Sequence, residues 1–431
     1  MYPRILIIGR VAWTKDESTL SGIFKGYPSD RLAYVCIETR EPDLSHCKQH
    51  FQISETAMIR RFWNWKVKTG SKIVESSGAI NKKNERQERQ MLSTVRSHRS
   101  IWLLFLRELL WCVGYWKSKE LKQFVMDFAP DVVFCVGDPL PLMNRLQCFI
   151  ATSAKKPATM FFMDDIWTYK SCHGTLQHIY RHLLRRQVKP LVQICQAHFA
   201  ISPKMMREYD KQFGIKCSLL TKGIETNQNV LRRGAVHSPI AMVYTGNLLY
   251  GRLKTLTIMA SAIRQMNEGV GSTQAILHIY TQTQLSEQDV IELEQGGASI
   301  LHKSVPYAQL QQVYNQSDVV LFVESLEERY RHIAWLSFST KLTDYMGSGK
   351  CIFAIGDAET APIEYLRETD IAIVCTSYDE IPQQLTEIIG HNDLIHEKAK
   401  MAFDYGQQYH SIEVMSQRLK TVLTDIIHKE A

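Results

Sequence analysis

The fold is decided by a stretch near the middle of the chain, Ile240-Ala241-Met242-Val243-Tyr244-Thr245-Gly246-Asn247-Leu248-Leu249-Tyr250-Gly251-Arg252-Leu253-Lys254. It opens with an apolar run that ends at Gly246, which is typical of a short strand buried on both faces. The residues after Gly251 then begin a helical segment. A buried strand that leads directly into a helix is the unit from which parallel α/β sheets are built.

The same alternation of short apolar runs and helical segments continues in both directions along the chain. In the first half the runs lie at residues 5–9, 33–37, 132–136, 158–163, 198–201 and 218–221. In the second half they lie at residues 240–245, 275–280, 319–323, 351–355 and 371–375. This pattern predicts an α/β fold with two doubly wound, Rossmann-like sheets in tandem.

The length also requires two domains, because 431 residues exceed the ~250–300 at which a single core stops growing. We place the first domain at 1–224, a polar linker at 225–239, and the second domain at 240–395. Residues 396–431 are expected to form a closing C-terminal helix. Its apolar stripe begins after Ser411, a plausible N-cap, and includes Ile412, Met415, Leu419, Val422 and Ile426.

Composition and targeting signals favour a folded cytoplasmic protein. Hydrophobic residues make up 45% of the chain and charged residues 22%, which excludes a disordered chain. The ten cysteines are scattered without a C-x-x-C pair, as expected of buried thiols in a reducing compartment. No secretory signal precedes the first strand, and no apolar stretch reaches ~18 residues. The nearest approach, residues 101–116, is interrupted by Arg107 and Glu108 and is typical of an interfacial or buried helix.

The net charge of +7 is concentrated in one part of the first half. There, cations alternate with aromatic side chains: Arg60, Arg61, Phe62, Trp63, Trp65, Lys66, Lys68 and Lys72, followed by Lys82, Lys83, Arg86, Arg89, Arg96 and Arg99. Cations mixed with tryptophans suit peripheral contact with an anionic membrane at its inner face. A solvated helical face explains the charge equally well. Nucleic acid is a weaker third interpretation, because no known binding motif accompanies the charge.

In parallel sheets, ligands bind beyond the carboxyl ends of the strands, so the residues that follow each apolar run are the candidates. After the run at 240–245, Gly246 allows close backbone approach, while Arg252 and Lys254 place cations at the start of a helix. Together they favour a diphosphate, although a purely structural turn fits as well.

Further on, Ser339 or Thr340 caps a helix on which Lys341 and Asp344 share a face. Asp344 is suited to binding the two hydroxyls of a ribose, and a surface ion pair with Lys341 is the alternative.

The order of these segments resembles the donor domain of family 4 glycosyltransferases, of the bacterial surface-polysaccharide type. The resemblance rests on Gly246-Asn247-Leu248 with Arg252 and Lys254, then on residues 339–345 with Gly349-Lys350 and on Ala200-Ile201-Ser202-Pro203-Lys204-Met205, and it covers most of residues 195–390. It implies a GT-B fold with a cleft between the domains and a retaining sugar transfer from a nucleotide-sugar. The first domain would bind a saccharide or polyprenyl-linked acceptor, for a capsule, O-antigen or exopolysaccharide.

By the same resemblance, Arg252 and Lys254 hold the donor diphosphate and assist its departure, and Asp344 binds the ribose. The other expected donor-binding residues are Gly246, Asn247, Thr340 and Lys341. The chain departs from the E-x7-E pair of many members, because Leu336 stands eight positions before Asp344. The nearby acids Glu324, Glu327 and Glu328 are either a substitute for the missing glutamate or a solvated loop.

In the first half, Asp164 and Asp165 follow an apolar run and are candidates for binding acceptor hydroxyls or stabilising charge on a sugar ring. A helix-capping role for one of them is the alternative. The first strand-to-helix loop contributes Gly9, Arg10 and Gly22, expected to approach the acceptor or the donor phosphate. This loop does not match the G-x-G-x-x-G fingerprint of dehydrogenases.

Several catalytic motifs are missing from the sequence. It contains no D-x-D, H-E-x-x-H, clustered Cys/His, G-x-S-x-G or P-loop pattern, so no bound metal or cofactor is expected. Two alternatives to a transferase stay open. One is a sugar-nucleotide 2-epimerase of the same fold, and the other is a non-catalytic partner subunit that binds a saccharide.

Overall fold

The computed structural model describes residues 2–13, 19–38, 42–73, 101–225 and 235–430. The chain divides into two compact units. The first unit comprises Met1–Ile201, Met205–Leu220 and Gln417–Ala431, and the second comprises Ser202–Lys204 and Thr221–Ser416. Most of the predicted linker, residues 226–234, lies outside the described residues.

The first unit is built on an eight-stranded sheet in the order β4-β3-β2-β1-β5-β6-β7-β8. All neighbouring strands are parallel except β3 and β4, which are antiparallel. The strands are β1 (Ile5–Ile8), β2 (Leu32–Cys36), β3 (Gln49–Ile53), β4 (Gly70–Ile73), β5 (Val132–Val136), β6 (Ala158–Phe162), β7 (Ala197–Ala200) and β8 (Cys217–Leu219). The described helices are α1 (Thr19–Ile23), α2 (Glu55–Arg61), α3 (Ile101–Val113), α4 (Lys119–Phe128), α5 (Pro141–Ala154), α6 (Thr175–Ile194) and α7 (Pro203–Phe213).

The second unit has a six-stranded, fully parallel sheet in the order β11-β10-β9-β12-β13-β14. Its strands are β9 (Ile240–Thr245), β10 (Ala275–Thr281), β11 (Ser299–Lys303), β12 (Val319–Val323), β13 (Cys351–Ile355) and β14 (Ile373–Cys375). The helices between and after them are α8 (Arg252–Val270), α9 (Glu287–Glu294), α10 (Tyr307–Asn315), α11 (Arg331–Ala334), α12 (Thr340–Ser348), α13 (Ala361–Thr369), α14 (Glu380–Gly390), α15 (Asn392–His410) and α16 (Ile412–Glu430). This strand order is that of a Rossmann sheet, and it reverses between β9 and β12.

Both sheets confirm the predicted α/β architecture. Strands β1, β12 and β13 are buried along their whole length, because each is an apolar run covered on both faces. The sequence analysis missed β3, β4 and β11. These strands lie at or beside sheet edges, and Gln, His, Lys or Ser residues interrupt their apolar character.

The C-terminal segment differs from the single helix expected over 396–431. Helix α15 continues to His410, and α16 begins at Ile412. Ser411 separates them in an extended conformation, where it forms a bridge to Ile224. Its hydroxyl accepts a hydrogen bond from the Val414 amide at 3.4 Å, as expected of an N-cap.

Two further expectations concern membranes and cysteines. Among the described residues, no helix combines the length and the apolar character needed to cross a bilayer. All ten cysteines are free thiols, and most are buried. Burial raises the pKa of Cys36 to about 12, which keeps this thiol protonated.

Candidate functional site

The second unit has a cavity where its strand order reverses, at the carboxyl ends of β9 and β12. Its volume is about 170 Å³. It is lined by Tyr244, Asn247, Arg252, Leu321, Phe322, Val323, Glu324, Ser339 and Lys341. A crevice at this point is the usual ligand site of open parallel sheets.

Two glycines shape the turn from β9 into α8. Gly246 has φ of 152°, and a Cβ at this position would overlap the Lys341 ammonium. Gly251 has φ of 80° and precedes the first residue of α8, and its Cβ would overlap the Ser325 hydroxyl. Each position requires a positive φ and has no room for a Cβ, and only glycine satisfies both requirements. The turn therefore brings backbone and cations close together.

Arg252, the first residue of α8, is fixed by three hydrogen bonds. Its Nη2 donates to Glu324 Oε2 at 2.7 Å, its Nη1 to Asn247 Oδ1 at 2.9 Å, and its Nε to the Val323 carbonyl at 3.2 Å. The Arg252 and Glu324 side chains are each only 13% exposed. Burial raises the pKa of Glu324, although the neighbouring guanidinium lowers it. Glu324 is therefore not part of a solvated loop.

Lys341 lies in the first turn of α12, next to the Ser339 N-cap, whose hydroxyl accepts from the Lys341 amide at 3.4 Å. Its ammonium is 5.2 Å from the centre of the Tyr244 ring. Within the described residues, that ammonium donates no hydrogen bond and forms no ion pair. Desolvation by burial, together with repulsion from Arg252, lowers the pKa of Lys341 to about 8. The cavity thus holds a cation whose hydrogen-bonding capacity is unused.

The cavity is suited to an anion for three reasons. Its described lining residues include the Arg252 and Lys341 cations and one carboxylate, that of Glu324. It lies beside the N-termini of α8 and α12, where helix dipoles favour negative charge. Its partial burial strengthens these interactions relative to water.

Lys254 and the remaining acids of the predicted set lie outside this cavity. Lys254 is 56% exposed and pairs with Glu327 at 3.4 Å. Glu328 is exposed, 3.9 Å from Arg331. Leu336, at the position of the missing glutamate, is fully buried. Of the three candidate substitutes, only Glu324 reaches the cavity.

Asp344 is bound by two residues that the sequence analysis did not single out. Its Oδ1 accepts from Lys222 Nζ at 2.6 Å and from the Tyr307 hydroxyl at 3.0 Å, and the Lys222 ammonium also donates to Tyr307. Asp344 thus pairs with Lys222, whereas the alternative expected from the sequence was a surface ion pair with Lys341. Lys222 follows a predicted strand and could have been noticed, whereas nothing in the sequence points to Tyr307. Thr340 begins α12, and its carbonyl accepts from the Thr343 hydroxyl.

In the first unit, Asp165 organises the loop after β6. Its Oδ1 accepts from the amides of Trp167 at 3.0 Å and Thr168 at 2.9 Å and from the Tyr209 hydroxyl at 3.2 Å. Its Oδ2 accepts from the Thr168 hydroxyl. Asp164 is exposed. The residues after Asp165 form turns, so Asp165 stabilises a loop and does not cap a helix.

Replacing Asp165 with alanine is expected to lower the free energy of unfolding by about 2–4 kcal/mol, because several amide and hydroxyl donors lose their acceptor. Chemical denaturation followed by tryptophan fluorescence measures the change. The matched control is Asp164→Ala, expected to change stability by less than about 0.5 kcal/mol at an exposed position. Equal effects of the two substitutions would contradict the role assigned to Asp165.

The loop after β1 meets two acids at the carboxyl ends of neighbouring strands. Arg10 Nε lies 3.4 Å from Asp138 Oδ2 and 3.9 Å from Glu38 Oε1. Burial raises the pKa of Asp138, whereas Arg10 lowers it. A Cβ on Gly9 would overlap the Tyr34 hydroxyl, so this glycine accommodates a neighbouring side chain. Gly22 is buried within α1.

Glu38 and Asp138 were not among the predicted site residues. Glu38 directly follows the apolar run 33–37, and Asp138 follows the run 132–136 after Gly137, so the rule that identified Asp164 and Asp165 also points to them. A search of the described residues finds no group of three side chains that could hold a metal ion.

No protein-family model and no curated protein matches the chain. Solved structures do match it over nearly its full length. HepE from Anabaena, in complex with UDP, is 12% identical with a TM-score of 0.62, covering 98% of this chain and 100% of that chain. Sucrose-phosphate synthase from Thermosynechococcus elongatus is 10% identical with a TM-score of 0.59, covering 99% of each chain. The lipopolysaccharide outer core galactosyltransferase WaaB, in its apo form, is 13% identical with a TM-score of 0.56, covering 98% of this chain and 99% of that chain. The chain thus has the two-domain, Rossmann-like GT-B fold of these proteins.

Proposed function

We propose that this chain is a glycosyltransferase of the hexosyltransferase type that takes a sugar from a nucleotide-sugar donor. The observation that carries the proposal is the Lys341 ammonium, which faces the cavity beside Arg252 and donates no hydrogen bond to the described residues. The cavity lies at the reversal of a Rossmann strand order, and the structural neighbours with this fold include HepE in complex with UDP and the galactosyltransferase WaaB.

The donor diphosphate is proposed to bind between Arg252 and Lys341, close to the Gly246 backbone, with Asn247 orienting the guanidinium. Lys254 pairs with Glu327 outside the cavity and is not proposed to contact the diphosphate. Asp344 is proposed to accept the ribose hydroxyls. The hydrogen bonds from Lys222 and Tyr307 to one of its oxygens hold this carboxylate in a fixed orientation.

In the transfer step, the bond between the sugar and the diphosphate breaks, the acceptor hydroxyl attacks the anomeric carbon, and the hydroxyl proton passes to the departing diphosphate. Arg252 and Lys341 stabilise the charge that develops on the departing diphosphate, so no metal ion is needed there. By resemblance to family 4 glycosyltransferases, we propose that the anomeric configuration is retained. The acceptor is proposed to bind in the first domain, 1–224, near Arg10 and the exposed Asp164, which Asp165 supports through the loop.

We further propose that the acceptor is a saccharide or a polyprenyl-linked saccharide of bacterial surface-polysaccharide synthesis. The enzyme would work in the cytoplasm, at the inner face of the membrane. In support, the similar structures include a lipopolysaccharide outer core galactosyltransferase.

A thermal-shift screen tests the proposal. Nucleoside diphosphates and nucleotide-sugars at about 100 times their Kd should add about 2.7 kcal/mol of stability to the unit that binds them. We expect a rise of several degrees with at least one nucleoside diphosphate and a smaller rise with the matching nucleoside. A flat response to every nucleotide would exclude donor binding.

Incubation with the bound nucleotide-sugar and an acceptor then identifies the reaction. Release of the nucleoside diphosphate together with glycosylated acceptor supports the transferase. Conversion of the donor to its epimer would identify an epimerase, and binding without turnover would identify a non-catalytic subunit.

A further inference from the structure

The first unit has a surface on which large apolar side chains are exposed in unusual density. Three of them follow α2: Phe62, Trp63, which is 82% exposed, and Trp65, which is 74% exposed. The others are Ile59 on α2, Trp102, Leu106, Leu109 and Val113 on α3, and Tyr115 just after α3. We call these nine residues the aromatic surface. Single exposed apolar residues are common, but a contiguous group marks an interaction site.

The geometry of α3 shows that its exposed side chains form one stripe. Trp102, Leu106, Leu109 and Val113 are spaced by four, three and four residues, which places them on the same helical face. On the opposite face Trp111 is fully buried, and its Nε1 donates to Glu55 Oε1 at 2.6 Å. Helix α3 therefore has apolar side chains on its outer face as well as on the face that packs inward, and the outer stripe is directed away from the core.

Helix α2 packs alongside α3, so the exposed side chains on and after α2 lie next to those on and after α3. Arg107 Nε on α3 donates to Glu55 Oε1 at 2.7 Å, at the start of α2. At the other end, the Arg61 guanidinium lies 4.0 Å above the centre of the Tyr115 ring. Arg61 also donates to the Val67 carbonyl at 2.5 Å, which holds the turn that carries Trp63 and Trp65. The tryptophans thus sit on an ordered turn beyond the helix, so a solvated helical face does not describe them.

The segment that carries the tryptophans has charges of a single sign. Residues 59–73 contain Arg60, Arg61, Lys66, Lys68 and Lys72 and no carboxylate. Lys68 and Lys72 have acidic neighbours on α4, Glu120 at 3.9 Å and Asp127 at 3.4 Å. Arg60 and Lys66, by contrast, are exposed beside the tryptophans. The later cations of the predicted basic region, from Lys82 to Arg99, lie outside the described residues.

We propose that the aromatic surface docks on an anionic lipid leaflet as a peripheral membrane contact. Tryptophans set among lysines and arginines match the boundary between headgroups and acyl chains, where the rings enter the interface and the cations meet lipid phosphates. A protein partner is a poorer match, because protein interfaces are depleted in lysine at their cores. The docking surface lies in the first unit and is independent of the cavity beside Arg252 and Lys341.

Vesicle co-sedimentation tests the inference on the full-length protein, without any nucleotide. We expect binding to mixed phosphatidylcholine and phosphatidylglycerol vesicles at about 0.1 M salt, and much weaker binding to pure phosphatidylcholine or at about 1 M salt, where the Debye length falls to ~3 Å. A blue shift of tryptophan fluorescence on binding should report that rings enter the interface.

Two pairs of substitutions separate the apolar from the ionic contribution. Trp63→Ser with Trp65→Ser, and separately Arg60→Glu with Lys66→Glu, should each lower the vesicle partition coefficient by at least about tenfold. The matched controls are Val270→Ser with Ile291→Ser, which are exposed apolar residues of the second unit, and Lys156→Glu with Lys211→Glu, which are exposed lysines of the first unit. These controls should retain wild-type partitioning. Circular dichroism and chemical denaturation confirm that each variant is folded.

The results distinguish the possible occupants of the surface. Loss of vesicle binding in the two test pairs alone supports a lipid leaflet. Equal loss in the controls, or no vesicle binding by the wild type, would overturn it. Dimerisation in light scattering that the Trp63 and Trp65 substitutions abolish would show instead that a second copy covers the surface. None of these outcomes depends on nucleotide binding, so failure here leaves the proposed function intact.

Discussion

Replacing Lys341 with methionine should lower the affinity for a nucleoside diphosphate about ten- to hundredfold and the rate of sugar transfer about 10²–10³-fold. The ammonium faces the cavity and donates no hydrogen bond to the described residues, so a diphosphate is the acceptor that it lacks. Methionine keeps the apolar stem against Tyr244 but removes the charge. Isothermal titration with the nucleotide found by thermal shift measures the first effect, and product formation measures the second.

The same substitution should not destabilise the unliganded protein. Partial burial of a charge is unfavourable, and this cost lowers the pKa of Lys341 to about 8. Removing the ammonium removes that cost, so Lys341→Met is expected to unfold at the same denaturant concentration as wild type or higher. A variant that is stable but inactive identifies a binding group. Lys350→Met, at the other end of α12, is the control and should retain both stability and activity.

The pH dependence follows from the same group. Below pH 8 Lys341 is protonated and the affinity for the diphosphate should be nearly constant. Above pH 8 the affinity should fall by up to about tenfold per pH unit, since binding then requires uptake of a proton. In contrast, the stability contributed by this group in the unliganded protein should rise with pH between about 8 and 10.5, because the unfolded chain holds the proton more tightly. An unchanged pH profile in Lys341→Met would contradict the assignment.

Most of the sheet structure could be predicted from the sequence, because strands buried on both faces are nearly continuous apolar runs. β9, β12 and β13 begin and end where the runs do. β3 could not be found this way. Its sequence Gln49-His50-Phe51-Gln52-Ile53 contains polar residues, although His50 is buried. This segment forms a strand because it pairs with β2 and β4, and these pairings cannot be predicted from a hydrophobic pattern.

The location of the site was predictable, but the combination of side chains in it was not. Ligands bind beyond the carboxyl ends of strands, and this rule points to residues 246–252 and 339–344. Helix geometry further indicates that Arg252 and Lys254 point in different directions. Residues two apart on a helix differ in direction by ~200°, so both cations cannot face one cavity. The second cation that lines the cavity is Lys341, which comes from a different helix. The partners of Asp344 and Arg252 are distant in sequence, and only the folded chain brings them together.

Replacing Arg252 with alanine should slow sugar transfer by two or more orders of magnitude, because the guanidinium is proposed to stabilise the departing diphosphate. The substitution also leaves the buried Glu324 carboxylate without its cation, so a control for lost stability is needed. Breaking a buried ion pair from one side typically costs about 3–5 kcal/mol of stability. Loss of activity in Arg252→Ala alone could therefore reflect a disturbed cavity.

Glu324→Gln separates the two effects, because glutamine keeps the shape of the side chain and removes the buried charge. In the double variant Arg252→Ala with Glu324→Gln, we expect much of the lost stability to return, as measured by chemical denaturation. Transfer should stay at least about a hundredfold below wild type, because the diphosphate still lacks its guanidinium. Recovery of transfer along with stability would mean that Arg252 only neutralises Glu324, and the cation that assists departure would then be Lys341 alone.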